Sequence, residues 1–271
     1  MNFSSVLEIA QLAAYGLASV LYLVFHLLGF NAEVGPSLAR WGRRAFIGAF
    51  ALHFVDIGVH CFRGQHPLSS TAEVFAFVAW LLGLGFLLAT TKHRLAAIGA
   101  FAAPTVLVLL VLARVLPQGG PAAFRGPLAT THVLLSTVGE ALFALAAILA
   151  TLYLIQERRL KRKDFARMRS GVAPLETLDR LSARCVSLGF PIFTLAIVTG
   201  SVLVARMGLL HSAGSVRPEY VLAIASWFAY GGLLVARRGA GWQGRRAAWV
   251  TLAGFGGALL VLVAYFLRDL A

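Results

Sequence analysis

Eight apolar stretches constrain the fold of this chain more than any other feature of its sequence. Each is close to the roughly 20 residues that a helix needs to cross the hydrocarbon core of a bilayer. They predict membrane spans at about 5–28, 43–62, 72–91, 95–116, 128–155, 184–209, 219–236 and 247–267. Lipid cannot satisfy backbone N–H and C=O groups, and no alternating barrel pattern is present, so the spans are expected to be helices. The sequence therefore predicts an all-α polytopic membrane helix bundle with about eight transmembrane helices.

The composition of the chain argues against a soluble protein. Of its 271 residues, 59% are hydrophobic and 13% are charged, which is more apolar surface than a soluble domain of this length can bury. We expect a single integral-membrane domain over residues 1–271, with a basic cytoplasmic loop at 156–184. No Walker loop, GxSxG elbow or dinucleotide fingerprint is present. GFGG at 254–257 lies in a predicted span, where it indicates close helix packing.

Positive charge predicts the orientation of the chain. On a soluble protein the net charge of +13 would point to nucleic acid, but here 18 of the 24 Lys and Arg residues lie on alternate loops, near 29–44, 92–94, 156–184 and 237–246. The positive-inside rule makes that side cytoplasmic. Both termini are then predicted to be extracytoplasmic, and the expected partner is the lipid bilayer and not nucleic acid. The start, MNFSSVLEIAQLAAYG, has no Lys or Arg before its apolar run, which favours a retained first helix over a cleaved signal peptide.

Ionisable residues in the predicted spans are candidate functional groups, because charge is costly in lipid. In the second span, ALHFVDIGVHC carries His53, Asp56 and His60 at i, i+3 and i+7, which places them on one helical face. His132 opens the fifth span from the predicted outer side, and Glu140 lies deeper in the same span. Most of the histidines, His211 of the outer 210–218 loop among them, therefore belong to the predicted outer half.

Three kinds of chemistry are considered for these groups. A zinc site usually recruits thiolate or carboxylate at short spacing, and neither HExxH nor a cysteine pair is present. A proton relay needs histidines and carboxylates at graded depths, which His53, Asp56 and Glu140 supply. Haem needs two neutral imidazoles on different helices, and Asp56 is placed to hold a ligand imidazole in one tautomer. Spacing alone does not favour haem over a relay, and a structural role for each residue stays open.

A basic segment follows the fifth span. QERRLKRK, at 156–163, continues that span as a basic helix. Attraction to anionic lipid is one interpretation, and docking of a partner is the other. The residues that would dock such a partner are Arg158, Arg159, Lys161, Arg162 and Lys163.

Three separated segments resemble one family of membrane proteins. They are THVLLSTVGEALFALAAILATLYLIQERRLKRK at 131–163, PLETLDRLSARCVSLGFPIFTLAIVTGSV at 174–202 and GWQGRRAAWVTLAGF at 241–255. In this order they resemble the cytochrome c assembly family, which includes CcsA-like, CcmC-like and HemX-like proteins. The likeness covers about the second half of the chain, and the first half agrees only in having four spans.

This resemblance implies haem as the cofactor, bound at the outer face, and a role in cytochrome c maturation or haem metabolism. It also implies a bacterial inner (plasma) membrane location, and other cytochrome c assembly or haem-synthesis proteins as partners. His132 matches the family's outward histidine at the head of this helix, which ligates haem iron in the assembly enzymes.

Two departures from the family pattern are visible. LLHSAGSVRPEYVLAIASW, at 209–227, lacks the Trp–Asp core that cradles haem, and GALLVLVAYFLRDLA, at 257–271, lacks the second outer histidine. They indicate a divergent, HemX-like member that handles haem and argue against a haem-ligase enzyme. The candidates for the second iron ligand are His60, His211 and, for a deep haem, His53.

The sequence is therefore compatible with three functions. The first is a haem-binding membrane protein of cytochrome c biogenesis or haem metabolism. The second is a non-catalytic scaffold or regulator that docks a partner through the basic 156–185 loop. The third is a proton or solute transport subunit, which comes last because no inverted repeat is visible.

Overall fold

The computed structural model describes residues 3–28, 35–64, 68, 70–92, 96–115, 126–163, 174–206 and 218–270, with the side chains at 92, 262 and 265–270 excepted. Within these ranges the chain forms helices and no strand. The helices are α1 (Phe3–Leu28), α2 (Gly35–Phe62), α3 (Thr71–Lys92), α4 (Ala96–Val115), α5 (Pro127–Lys161), α6 (Leu175–Arg206), α7 (Pro218–Gly239) and α8 (Arg245–Leu270). Each one overlaps a predicted span, so the all-α prediction is confirmed.

Seven of the helices, α1 to α7, are long and apolar enough to cross a bilayer. The protein is therefore a multi-pass membrane protein, and a lipid bilayer surrounds it. For α8, whose last side chains are not described, the membrane span stays a prediction. The orientation of the termini also stays a prediction.

Both ends of the predicted 156–184 loop are helical. Helix α5 continues to Lys161, and Lys161 Nζ pairs with Glu157 Oε1 one turn earlier at 2.7 Å. Helix α6 begins at Leu175, directly after Pro174 and with Glu176 in its first turn, which are favourable choices for a helix start. Residues 164–173 lie outside the described part of the chain.

The chain divides into two compact units. The first comprises Met1–Gly119 and Leu154–Leu178, and the second comprises Gly120–Tyr153 and Asp179–Ala271. Helices α5 and α6 each contribute residues to both units. The single domain expected from the sequence stays a prediction.

In the first unit, α1 packs against α2 and α4, and α3 packs against α4. Aromatic rings fill the core between these helices. Phe46 makes edge-to-face contacts with Tyr15, at 5.2 Å between ring centroids, and with Phe86, at 4.7 Å. All three rings are buried. Edge-to-face pairs of this kind add about 0.5–1.5 kcal/mol each to the energy of burial.

Tyr22 of α1 lies directly over Gly99 of α4. A Cβ atom built on Gly99 would be 2.5 Å from Tyr22 Cε1, and Tyr22 is only 2% exposed. We expect Gly99→Ala to destabilise the protein by about 1–3 kcal/mol, because the ring has no free space to enter. Thermal unfolding in detergent, followed by circular dichroism, measures this change.

Gly48→Ala is the matched control, since a Cβ atom at Gly48 has no neighbour within 4 Å and the position is exposed on α2. Alanine should stabilise that helix by up to about 1 kcal/mol. Equal melting temperatures for the two variants would contradict the close contact at Tyr22.

In the second unit, three aromatic rings pack together within the buried core. Phe143 stacks on Tyr230 at 3.9 Å between centroids and meets Phe193 edge-on at 5.4 Å. Gly254 of α8 lies against the Tyr230 ring, because its added Cβ would be 2.9 Å from Tyr230 Cζ. The prediction that the GFGG segment permits close helix packing is therefore confirmed.

An ion pair connects three segments of the second unit. Arg237, near the end of α7, donates two hydrogen bonds to the Asp179 carboxylate on α6, at 2.8 and 3.1 Å. The backbone N–H of Gly244, just before α8, donates to Asp179 Oδ1 at 3.2 Å. The Arg237 and Asp179 side chains are only 12% and 16% exposed. The Asp179 carboxylate therefore links the beginning of α6 to the end of α7 and to the connection between α7 and α8.

Candidate functional site

One group of ionisable side chains in the first unit lies where α1 begins and where α2 and α4 end. Of the three predicted residues on α2, His53 and Asp56 are buried, at 1% and 4% exposure, and His60 is half-buried. All three line one cavity, so the prediction that they share a helical face is confirmed. We call the whole group the first-unit polar cluster; it consists of Glu8, Gln11 and Tyr15 of α1, His53, Asp56 and His60 of α2, and Arg114 of α4.

Arg114 joins two carboxylates of this cluster. Its Nη1 atom lies 3.1 Å from Glu8 Oε1, and its Nη2 atom lies 3.2 Å from Asp56 Oδ2. Gln11 Nε2 donates to the same Asp56 oxygen at 3.2 Å. Asp56 Oδ1 is buried and has no hydrogen-bond partner among the described residues. Asp56 accepts its described hydrogen bonds from Arg114 and Gln11, and its predicted role of holding a ligand imidazole stays a prediction.

His53 is oriented by a tyrosine. Its Nδ1 atom lies 3.5 Å from the Tyr15 hydroxyl oxygen, and the two rings meet edge-on at 6.0 Å between centroids. Its Nε2 atom is buried without a partner among the described residues. One nitrogen of this imidazole is therefore available inside the protein.

The cavity beside these residues is small. Its volume is about 40 Å³, and its lining includes His53, Asp56, His60, Glu73 and Arg114. One water molecule needs at least about 10–15 Å³ of such space, so the cavity holds a few waters or a single ion. A porphyrin ring does not fit in it.

His132 occupies a different setting, in the second unit. Its Nδ1 atom lies 2.8 Å from the backbone oxygen of Ala196 on α6. A carbonyl oxygen can only accept a hydrogen bond, so Nδ1 carries the proton and the Nε2 lone pair is available. The Thr199 hydroxyl, 3.4 Å from Nδ1, donates to the same carbonyl at 3.0 Å. No hydrogen bond to His132 Nε2 occurs among the described residues.

A glycine makes room for the His132 ring. A Cβ atom on Gly200 of α6 would lie 2.7 Å from His132 Cε1 and 3.1 Å from His132 Nδ1. Any side chain at this position would therefore push the imidazole from its place beside the Ala196 carbonyl. Gly200 is part of the site although it carries no functional group.

The remaining predicted site residues lie elsewhere. Glu140 belongs to the second unit, is 8% exposed, and its Oε1 atom has no partner among the described residues. His53 and Asp56, the other members of the predicted relay, belong to the first unit. His211 lies outside the described residues.

The five basic residues predicted to dock a partner lie in the last turn of α5 and directly after it. Arg159 Nη2 donates to His26 Nε2 at 3.3 Å, and Lys161 pairs with Glu157. The exposed members of the group are Arg158, Lys161, Arg162 and Lys163. Their exposure suits either lipid or a protein, so docking stays a prediction.

Five residues of these sites were not identified as site residues from the sequence: Glu8, Gln11, Tyr15, Arg114 and Gly200. Arg114 offered a signal, since a guanidinium near the end of an apolar span needs a partner. Gln11 and Gly200 offered none, because amides and glycines occur in membrane helices for many packing reasons.

Comparison with known proteins identifies the family. Residues 68–271 match the family described as Cytochrome C assembly protein. The chain belongs to this family. The resemblance predicted from the sequence is confirmed, and the match begins earlier than predicted, just before α3. His132 and Gly200 lie within the matched range, whereas the α1 and α2 residues of the first-unit polar cluster precede it.

Individual relatives agree with this assignment. The chain is 28% identical to the cytochrome c biogenesis protein CcsA of Guillardia theta over 214 residues, which cover 71% of this chain and 70% of the relative. It is 27% identical to CcsA of Prochlorococcus marinus (strain MIT 9301), covering 74% and 72%. It is 30% identical to the inner membrane protein YpjD of Escherichia coli (strain K12), covering 59% and 58%. No solved structure matches the chain.

Proposed function

We propose that this protein acts in cytochrome c biogenesis by holding haem as cargo at the outer face of an inner membrane, with His132 as one axial ligand of the iron. Family membership and the CcsA relatives support the pathway. The YpjD relative supports the inner-membrane location. Other assembly proteins are the expected partners, since haem cargo must be received and passed on.

The hydrogen bond between His132 and Ala196 carries this proposal. Histidines that ligate metals almost always donate their other ring N–H to a carbonyl, a carboxylate or water, which fixes the tautomer and raises the basicity of the ligating nitrogen. His132 Nδ1 makes such a bond at 2.8 Å, and Gly200 leaves the ring the space to make it. The donor set therefore fits an iron ligand at Nε2.

Haem supplies an iron with two axial positions, so a second ligand is needed. His53 suits this role poorly, because the cavity that it lines measures about 40 Å³. His60 and His211 are the proposed alternatives. The absence of the Trp–Asp core at 209–227 supports haem handling over ligation of haem to protein, in agreement with a HemX-like member.

Haemin titration of the purified protein tests the proposal. The wild type should develop a Soret band typical of imidazole-ligated haem. His132→Ala should weaken haemin binding by at least about tenfold, because the iron loses a pre-oriented ligand. Absorption spectroscopy in detergent measures both the band and the affinity.

His26→Ala is the control, since that histidine accepts a hydrogen bond from Arg159 and belongs to the other unit. It should bind haemin like the wild type. A wild-type protein that stays colourless with haemin, or a His132→Ala variant with unchanged spectrum and affinity, would refute the role of His132.

A further inference from the structure

The first-unit polar cluster has an excess of negative charge in an apolar setting. Glu8 and Asp56 share the guanidinium of Arg114. Buried charge is costly unless it is balanced and hydrogen-bonded. Two carboxylates around one guanidinium leave a net charge of about −1, which favours a cation over an anion in this place.

The donors of this cluster also converge on one point. One carboxylate oxygen of Glu8, one of Asp56 and one ring nitrogen of His60 all lie within 4.8 Å of one another. Around an ion with bonds of about 2.1 Å, tetrahedral ligands stand about 3.4 Å apart. Small side-chain rotations of Glu8 and His60, which are both half-buried, would shorten the distances between the ligand atoms to this value.

Each carboxylate of this group has one oxygen without a hydrogen bond among the described residues. Arg114 and Gln11 engage Asp56 Oδ2, so the buried Oδ1 atom has no partner among the described residues. Arg114 engages Glu8 Oε1, and within the described contacts no hydrogen bond reaches Glu8 Oε2 or the His60 ring. Hydrogen bonds to the second oxygen of a carboxylate are the usual outer support of a metal ligand.

An independent observation also points to a ligand in this place. His53 is 1% exposed, lines the same cavity as Asp56 and His60, and has a buried Nε2 atom without a partner among the described residues. Native proteins rarely leave such an atom unsatisfied. A hydrated ion in a cavity of about 40 Å³ would bring water within reach of it.

We propose that Glu8, Asp56 and His60 bind a divalent transition-metal ion. Two carboxylates and one imidazole, without a thiolate, suit Zn²⁺, Mn²⁺ or Fe²⁺ better than the soft Cu⁺ ion. Arg114 and Gln11 orient Asp56, and water completes the coordination. The site belongs to the first unit, whereas His132 belongs to the second. It assigns His60 to this ion and leaves His211 as the second haem ligand.

Zn²⁺ binding to the full-length protein tests this proposal. The protein is purified with a tag free of histidine, stripped with EDTA and dialysed against Zn²⁺, and the bound metal is measured. The wild type should bind one Zn²⁺ per chain. His60→Ala should weaken binding by at least about 100-fold, and the isosteric Glu8→Gln by at least about tenfold. His26→Ala, which removes an imidazole elsewhere in the first unit, should leave binding unchanged.

A second measurement separates this site from the haem site. His60→Ala should leave haemin affinity unchanged while Zn²⁺ binding falls. The reverse pattern, weaker haemin binding with unchanged Zn²⁺ binding, would make His60 a haem ligand and overturn the inference. Failure of the wild type to bind Zn²⁺, Mn²⁺ or Fe²⁺ would also overturn it, whatever the haemin titration shows. If His60→Ala does not fold, a Glu8→Gln variant that binds Zn²⁺ with unchanged affinity would overturn the inference in its place.

Discussion

Gly200→Val is expected to lower haemin affinity as much as removal of His132 itself, by at least about tenfold, although it changes no polar atom. Even a single Cβ at Gly200 would lie 2.7 Å from His132 Cε1, and valine adds two methyl groups on a stiff side chain. The imidazole must then move away from the Ala196 carbonyl. Nδ1 loses its hydrogen-bond acceptor, and Nε2 is no longer held in one orientation. Haemin titration measures the loss, and the Soret spectrum should change with it.

Gly232→Val provides the matched control in the same unit. Gly232 also lies within a helix, α7, but a Cβ atom there has no neighbour within 4 Å. Its haemin affinity should equal that of the wild type. If Gly200→Val binds haemin normally and melts at the wild-type temperature, the proposed position of His132 is wrong.

Asp179→Ala is expected to lower the free energy of unfolding by about 3 kcal/mol. The substitution leaves the Arg237 guanidinium, 12% exposed, without its bidentate partner, and it also removes the acceptor of the Gly244 N–H. An unpaired charge in a poorly solvated place costs more than the pair itself contributes. Thermal or denaturant unfolding in detergent measures the change.

The exposed pair of Lys161 with Glu157 is the control for this effect. Lys161 is 61% exposed, and pairs of this kind on a helix surface contribute about 0.3–0.5 kcal/mol, so Lys161→Ala should have little effect. The double variant Asp179→Leu with Arg237→Met should recover much of the stability, because both charges are gone. A double variant as unstable as Asp179→Ala would show that the loss does not come from the unpaired charge.

The candidate sites were only partly predictable. The i, i+3, i+7 spacing correctly placed His53, Asp56 and His60 on one face, since that spacing depends only on the helix. The ion pair of Asp56 with Arg114 was not predicted, because Arg114 follows Asp56 by 58 residues in the sequence. No local pattern records which distant helix will lie beside it.

The sequence by itself determined that the chain is a set of long apolar helices and which family it belongs to. The physical reason is that lipid satisfies no backbone hydrogen bond, so each apolar stretch must be a helix whatever surrounds it. The tertiary structure alone decided which nitrogen of His132 carries its proton and where Arg114 finds its two carboxylates. These depend on atoms brought together from separate helices: a carbonyl 64 residues after His132, and carboxylates 106 and 58 residues before Arg114. Side-chain packing between helices, which the hydropathy pattern does not encode, sets those distances.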